Sequence, residues 1–185
     1  MLFTSITRSV PMLTVLCLLS AGFVAGDTSK QLEMDKEGTQ LIGQLEDVAR
    51  DVHYNAGRLN SFHPTQISKW THYHHLEQIK SLVNDGLRPA LERLTEIQPQ
   101  LPAWHQEAID QMLASAKALA ADTNSAILNL NDTKALPIVL NAEYKELIAR
   151  IYHHSESLVR TSDAAGDYAA AHLQAVEAGL KVPKH

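Results

Sequence analysis

The chain has 185 residues and a formal net charge of −5, so it is mildly acidic. This charge argues against binding to nucleic acid, because the phosphate backbone would repel it. The single cysteine, Cys17, leaves no intramolecular disulfide to stabilise the fold. The chain is long enough for one domain that is stabilised by its own hydrophobic core.

The first 26 residues have the pattern of a cleavable signal peptide. Arg8 precedes a short apolar stretch over residues 11–20, and residues 24–26 are the small side chains that a signal peptidase requires. The apolar stretch is too short to span a bilayer comfortably, although an N-terminal membrane anchor is the alternative. We therefore expect residues 27–185 to form a single exported domain, periplasmic or extracellular, that lacks a transmembrane helix.

Helix-breaking residues divide the rest of the chain into four long segments. The breaks fall at residues 63–65, 99–102 and 131–137. Between them, good helix formers dominate, and apolar residues recur at spacings of three, four and seven. Each segment is therefore predicted to be an amphipathic helix with one apolar stripe. The predicted helices span about 29–62, 66–98, 102–131 and 139–179.

One proline interrupts the second predicted helix. Pro89 removes a backbone donor, and we expect a kink there because the apolar stripe continues on both sides. A true break, which would produce five helices, is the alternative. Four amphipathic helices with short connections favour antiparallel neighbours. The sequence thus predicts an all-α fold, an antiparallel up-down-up-down four-helix bundle.

Ten histidines are the only clear chemical signal in the chain. At about 100° per residue, His72 and His105 fall at the centres of their apolar stripes. Helical rise places His53, His72 and His75 at about one level near one end of the bundle, together with Glu143. The same level holds Asn55 and Tyr144.

This layer is a candidate metal site. Three imidazoles and a carboxylate, His53, His72, His75 and Glu143, could bind a zinc, copper or iron ion. Helical bundles build such sites from facing helices. In the alternative interpretation, these histidines only cover the edge of the core and bind nothing.

The other end of the bundle offers a second candidate site. Met34 lies near the start of the first helix and His172 near the end of the fourth. This arrangement resembles the b-type cytochromes built on periplasmic four-helix bundles, in which a methionine and a histidine at these positions bind haem iron. The resemblance covers the architecture and these two residues, and it implies non-covalent haem with His105 as a substitute ligand. By helical rise, however, His172 lies about 13 Å beyond the level of Met34.

No catalytic motif accompanies these residues. The sequence has no activated-serine motif and no glycine-rich phosphate loop. We therefore expect a non-catalytic exported bundle that needs no cofactor and acts as a binding or structural protein on an envelope component or another protein. A small metal-binding or haem-binding module is the alternative.

A partner helix would need an apolar surface beyond the core. Leu82, Leu87 and Leu91 flank the main stripe of the second helix and provide the candidate surface. A broad core face is the alternative interpretation of these leucines. Long helices with exposed leucines also permit homo-oligomers.

Overall fold

The fold is all-α, and the described residues form four helices. The computed structural model describes residues 25–62, 68–132 and 141–179, and these ranges contain no strand. Residues 1–24, most of the predicted signal peptide, lie outside them. No helix in these ranges is long and apolar enough to cross a membrane. The helices are α1 (Ala25–Phe62), α2 (residues 69–97), α3 (Ala103–Asp132) and α4 (Ala142–Glu177).

Local hydrogen bonds explain where three of the helices begin. The side chain of Ser68 accepts a hydrogen bond from the backbone N–H of Thr71, and Asn141 does the same for Tyr144. Both residues satisfy a donor that has no partner within its helix. At the start of α3, the carbonyl of Pro102 accepts a bond from the N–H of His105. The observed bounds differ from the predicted ones by four residues at most.

Helix α2 continues through Pro89 without a break, as predicted. It consists of an α-helical part (Lys69–Ser81), a π-helical segment (Leu82–Leu87) and a second α-helical part (Arg88–Ile97). The N–H of Arg88 bonds to the carbonyl of Val83, five residues earlier. Proline has no N–H, and its ring crowds the carbonyl four residues before it. The wider π-helical turn relieves this crowding and lets the helix continue.

The core is continuous along all four helices. Helices α1 and α3 each pack against both α2 and α4, so every helix has two neighbours. Burying this apolar surface provides the main driving force for folding. The largest completely buried aliphatic side chains are Ile42, Leu45, Leu59, Leu76, Ile79, Leu87, Leu94, Ile109, Met112, Leu119 and Leu130.

Candidate functional site

At one end of the core, two buried polar side chains pair with each other. His72 and Tyr144 are each 2% exposed, and His72 Nδ1 lies 3.0 Å from the Tyr144 hydroxyl. Burial raises the pKa of Tyr144, so its hydroxyl keeps its proton. The ring of Phe62 contacts His72 edge-on, with ring centroids 5.8 Å apart. The predicted position of His72 inside the apolar stripe is confirmed.

Replacing Tyr144 with phenylalanine is expected to lower the free energy of unfolding by about 1–2 kcal/mol, because His72 loses a buried hydrogen bond. Urea unfolding followed by circular dichroism measures this change. Tyr54→Phe is the matched control, since Tyr54 is 65% exposed. Equal stability of the two variants would show that the His72–Tyr144 bond contributes nothing.

His75 lies on the same side of α2, and its protonation state follows from its partner. Its Nδ1 is 2.9 Å from Asn55 Oδ1, while Asn55 Nδ2 donates to the carbonyl of Asp51. Because that second bond fixes the amide orientation, Nδ1 of His75 must carry the proton. Partial burial, then His74 and Arg58, lower the pKa of His75. His75 is therefore a neutral imidazole with its lone pair on Nε2.

The remaining members of the predicted metal layer lie apart from this pair. His53 Nδ1 is 3.0 Å from the Ser155 hydroxyl, and Ser155 lies about 16 Å along α4 from Tyr144 by helical rise. Glu143 is exposed in the first turn of α4. Within the three described ranges, no group of three or more histidine, cysteine, aspartate or glutamate side chains is placed to bind a metal ion. The metal layer stays a prediction.

Four aromatic side chains gather at the opposite end: Trp104, His105, Tyr168 and His172, which we call the tryptophan cluster. The rings of Trp104 and His105 stack with centroids 3.5 Å apart, and the ring of Tyr168 lies 4.4 Å from that of Trp104. The His172 ring is 6.4 Å from the Trp104 ring. The start of α3 and the last turns of α4 thus build one aromatic surface.

His105 is the unusual member of this cluster. It is 1% exposed, and neither of its ring nitrogens has a hydrogen-bond partner among the described residues. The indole N–H of Trp104 is buried without a partner in the same part of the structure. Burial, reinforced by the nearby His172, lowers the pKa of His105 to about 4. At neutral pH the ring is therefore uncharged, with one unused donor and one unused acceptor.

Met34, the third residue of the cytochrome-like set, lies at a different level. It is half-buried and packs against the core. Lys36 pairs with Glu177 at 3.5 Å, which places Met34 about 10 Å from the level of His172 by helical rise. The offset has the opposite sense to the one expected from the sequence, because His172 lies nearer the middle of the bundle than Met34 does. The structure brings His105 and His172 into one cluster, and Met34 is offset from it along the bundle.

No family model matches this chain, and the comparisons with curated proteins and with solved structures also found no match. Its function must therefore be inferred from the physical chemistry of its own side chains.

A groove runs between the π-helical segment of α2 and the middle of α3. Its volume is about 680 Å³. Apolar side chains form the floor, and charged side chains of Arg88, Glu92 and Lys117 form the rim. Leu87 and Leu91 are 0% and 2% exposed, so the broad-core interpretation of these leucines is confirmed. The floor residues are Val83, Leu87, Leu91, Leu113, Ala116 and Ala120.

The π segment, the groove and the tryptophan cluster were not predicted from the sequence. Periodicity reports which face of a helix a residue occupies, but it does not report which residue on another helix lies opposite. The isolated Pro89 was the one available signal for the π segment.

Proposed function

We propose that this protein is an exported, non-catalytic binding protein built as an antiparallel up-down-up-down four-helix bundle. Contacts between the start of one helix and the end of another support the antiparallel arrangement. Arg93 donates to Glu37 at 2.7 Å, joining the end of α2 to the first half of α1. Likewise, the Trp104–Tyr168 contact joins the start of α3 to the end of α4.

The N-terminal sequence supports export. Its positive residue, short apolar stretch and small residues before Asp27 match what the export machinery and the signal peptidase recognise. The exported protein would then begin at Asp27 and contain no cysteine.

The groove between α2 and α3 is the observation on which the binding function rests. Its volume falls within the range of about 300–1,000 Å³ that is typical of small-molecule sites. The apolar floor and the charged rim suit a mainly apolar ligand with a polar end. A π segment forms one wall, and such segments frequently occur at functional sites.

A small ligand fits this groove better than a partner helix does. Leu87 and Leu91 are already covered by the protein's own side chains, so a helix docked there would bury little additional apolar surface. Stable protein–protein interfaces bury about 1,200 Å² or more. A ligand of a few rings or one acyl chain can bind while burying a far smaller area.

Filling the groove with a large side chain is expected to abolish binding of an apolar ligand. Ala120 lines the groove, whereas its neighbour Ala121 is exposed and does not line it. Titration with the neutral fluorophore N-phenyl-1-naphthylamine should give at least tenfold weaker binding for Ala120→Trp. Ala121→Trp, the matched control, should bind like the parent protein. Equal binding by both variants, or no binding by the parent, contradicts the proposed function.

A metal ion bound through His75, one residue of the predicted metal layer, is the second candidate function. The observation that favours it is the fixed tautomer of His75, whose Nδ1–H is held by Asn55. Histidines that bind a metal ion usually donate their other ring N–H to an acceptor in this way. The variant His75→Gln tests this candidate in a copper titration that follows the fluorescence of Trp70, which stacks on His74, in a Trp104→Phe background.

A further inference from the structure

We propose that His105 and His172 of the tryptophan cluster together bind one transition-metal ion, with copper preferred. This inference does not depend on the groove, because no residue of the tryptophan cluster lines it. It assigns a ligand role to the one buried imidazole that has no described hydrogen-bond partner.

The first argument is the cost of burying His105. Nearly every buried polar side chain in a folded protein has a partner, and an unpaired one destabilises the fold. A leucine at this position would bury apolar surface without that cost. An imidazole whose nitrogens are both unpaired is therefore explained best if one of them binds something else.

The second argument is the proximity of another imidazole. His172 lies on the neighbouring helix α4, and its ring lies beside the indole ring on which His105 stacks. His172 is also close enough to His105 to lower the pKa of His105. Two imidazoles from adjacent helices provide two nitrogen ligands, and water can supply the others. His172 is half-buried, so its side chain can turn toward the ion while one side of the site stays open to solvent.

The third argument concerns which ligand suits these two donors. Neutral imidazole binds zinc, copper, nickel and iron, and among divalent ions nitrogen sites bind copper most tightly. A proton does not compete for His105 at neutral pH, because the pKa of His105 is lowered to about 4. A single ion needs only the two ring nitrogens and water as ligands, whereas haem requires a cavity large enough for the whole macrocycle.

Titration of the untagged exported protein with CuCl₂ tests the proposal. In a Trp70→Phe background, tryptophan fluorescence reports Trp104 alone, because the chain has two tryptophans. One equivalent of Cu²⁺ should quench this fluorescence. His105→Leu and His172→Gln should each weaken copper binding at least tenfold. His153→Gln is the matched control, since His153 lies on the same helix as His172 and is exposed.

Thermal unfolding separates loss of the site from loss of the fold. Without copper, His105→Leu should melt at the same temperature as the parent or higher, because an unpaired buried polar group has been removed. With copper, the melting temperature should rise for the parent and stay constant for both variants.

The proposal is overturned if the parent protein binds no copper, or if His105→Leu and His172→Gln bind it as tightly as the parent does. Copper binding that only His75→Gln weakens, followed through Trp70, would instead support the second candidate function. If haemin produced a Soret band that His105→Leu abolishes, while copper did not bind, the ligand would be haem iron rather than a single ion.

Discussion

Lowering the pH from 7 to 4.5 is expected to reduce the free energy of unfolding by about 2 kcal/mol through His105 alone. The pKa of His105 is lowered to about 4 in the folded protein, from 6.5 in the unfolded chain. Between these values the unfolded chain binds a proton that the folded protein does not. Stability is therefore lost as the pH falls from about 6.5 toward 4.

Urea unfolding at the two pH values measures this effect. The variant His105→Leu should lose stability less steeply than the parent, by about 2 kcal/mol over the same interval. All other ionisable groups are common to both proteins, so their contribution cancels in the comparison. His153→Gln, which changes an exposed imidazole, should retain the full pH dependence of the parent. An unchanged pH dependence in His105→Leu would mean that His105 is not buried in the neutral form.

The substitution Gly86→Ala is expected to lower the free energy of unfolding by about 1–3 kcal/mol. A Cβ atom at Gly86 would lie 2.8 Å from Val48 Cγ1 and 3.1 Å from Val48 Cγ2. Valine is branched at Cβ and has few rotamers in a helix, so it cannot easily move away. Helices α1 and α2 must then separate locally at the π segment, where Gly86 of α2 lies against Val48 of α1.

Two further variants check this explanation. Gly43→Ala is the matched control, because a Cβ at Gly43 meets no atom within 4 Å. In the interior of α1 that change should raise stability by about 0.5–1 kcal/mol. Combining Gly86→Ala with Val48→Ala should recover part of the stability that Gly86→Ala loses. If Gly86→Ala proved as stable as the parent, the close approach of the helices would not constrain this position.

Helix positions and burial were predictable because they depend on local patterns. Proline and the polar breaks limit the helices, and the spacing of apolar residues correctly placed His72 and His105 inside the core. All of these conclusions need only the geometry of a single helix.

The details of the candidate sites depend on contacts between helices, which a single sequence does not encode in any simple pattern. His53 meets Ser155 and His72 meets Tyr144, so two histidines expected in one layer bond to residues far apart on α4. Small differences in helix direction and rotamer decide such pairings. The stacking of Trp104 on His105 involves adjacent residues, yet it depends on how Tyr168 and His172 pack around them.

The π segment of α2 has a consequence for how related chains should be aligned. A turn closed by bonds between residues five apart contains one residue more than an α-turn, so the segment absorbs an extra residue without disturbing the helix on either side. Removal of one residue from Leu82–Leu87 would restore an ordinary turn. Homologues are therefore expected to differ in length by a single residue here, while the flanking α-helical parts of α2 keep their lengths.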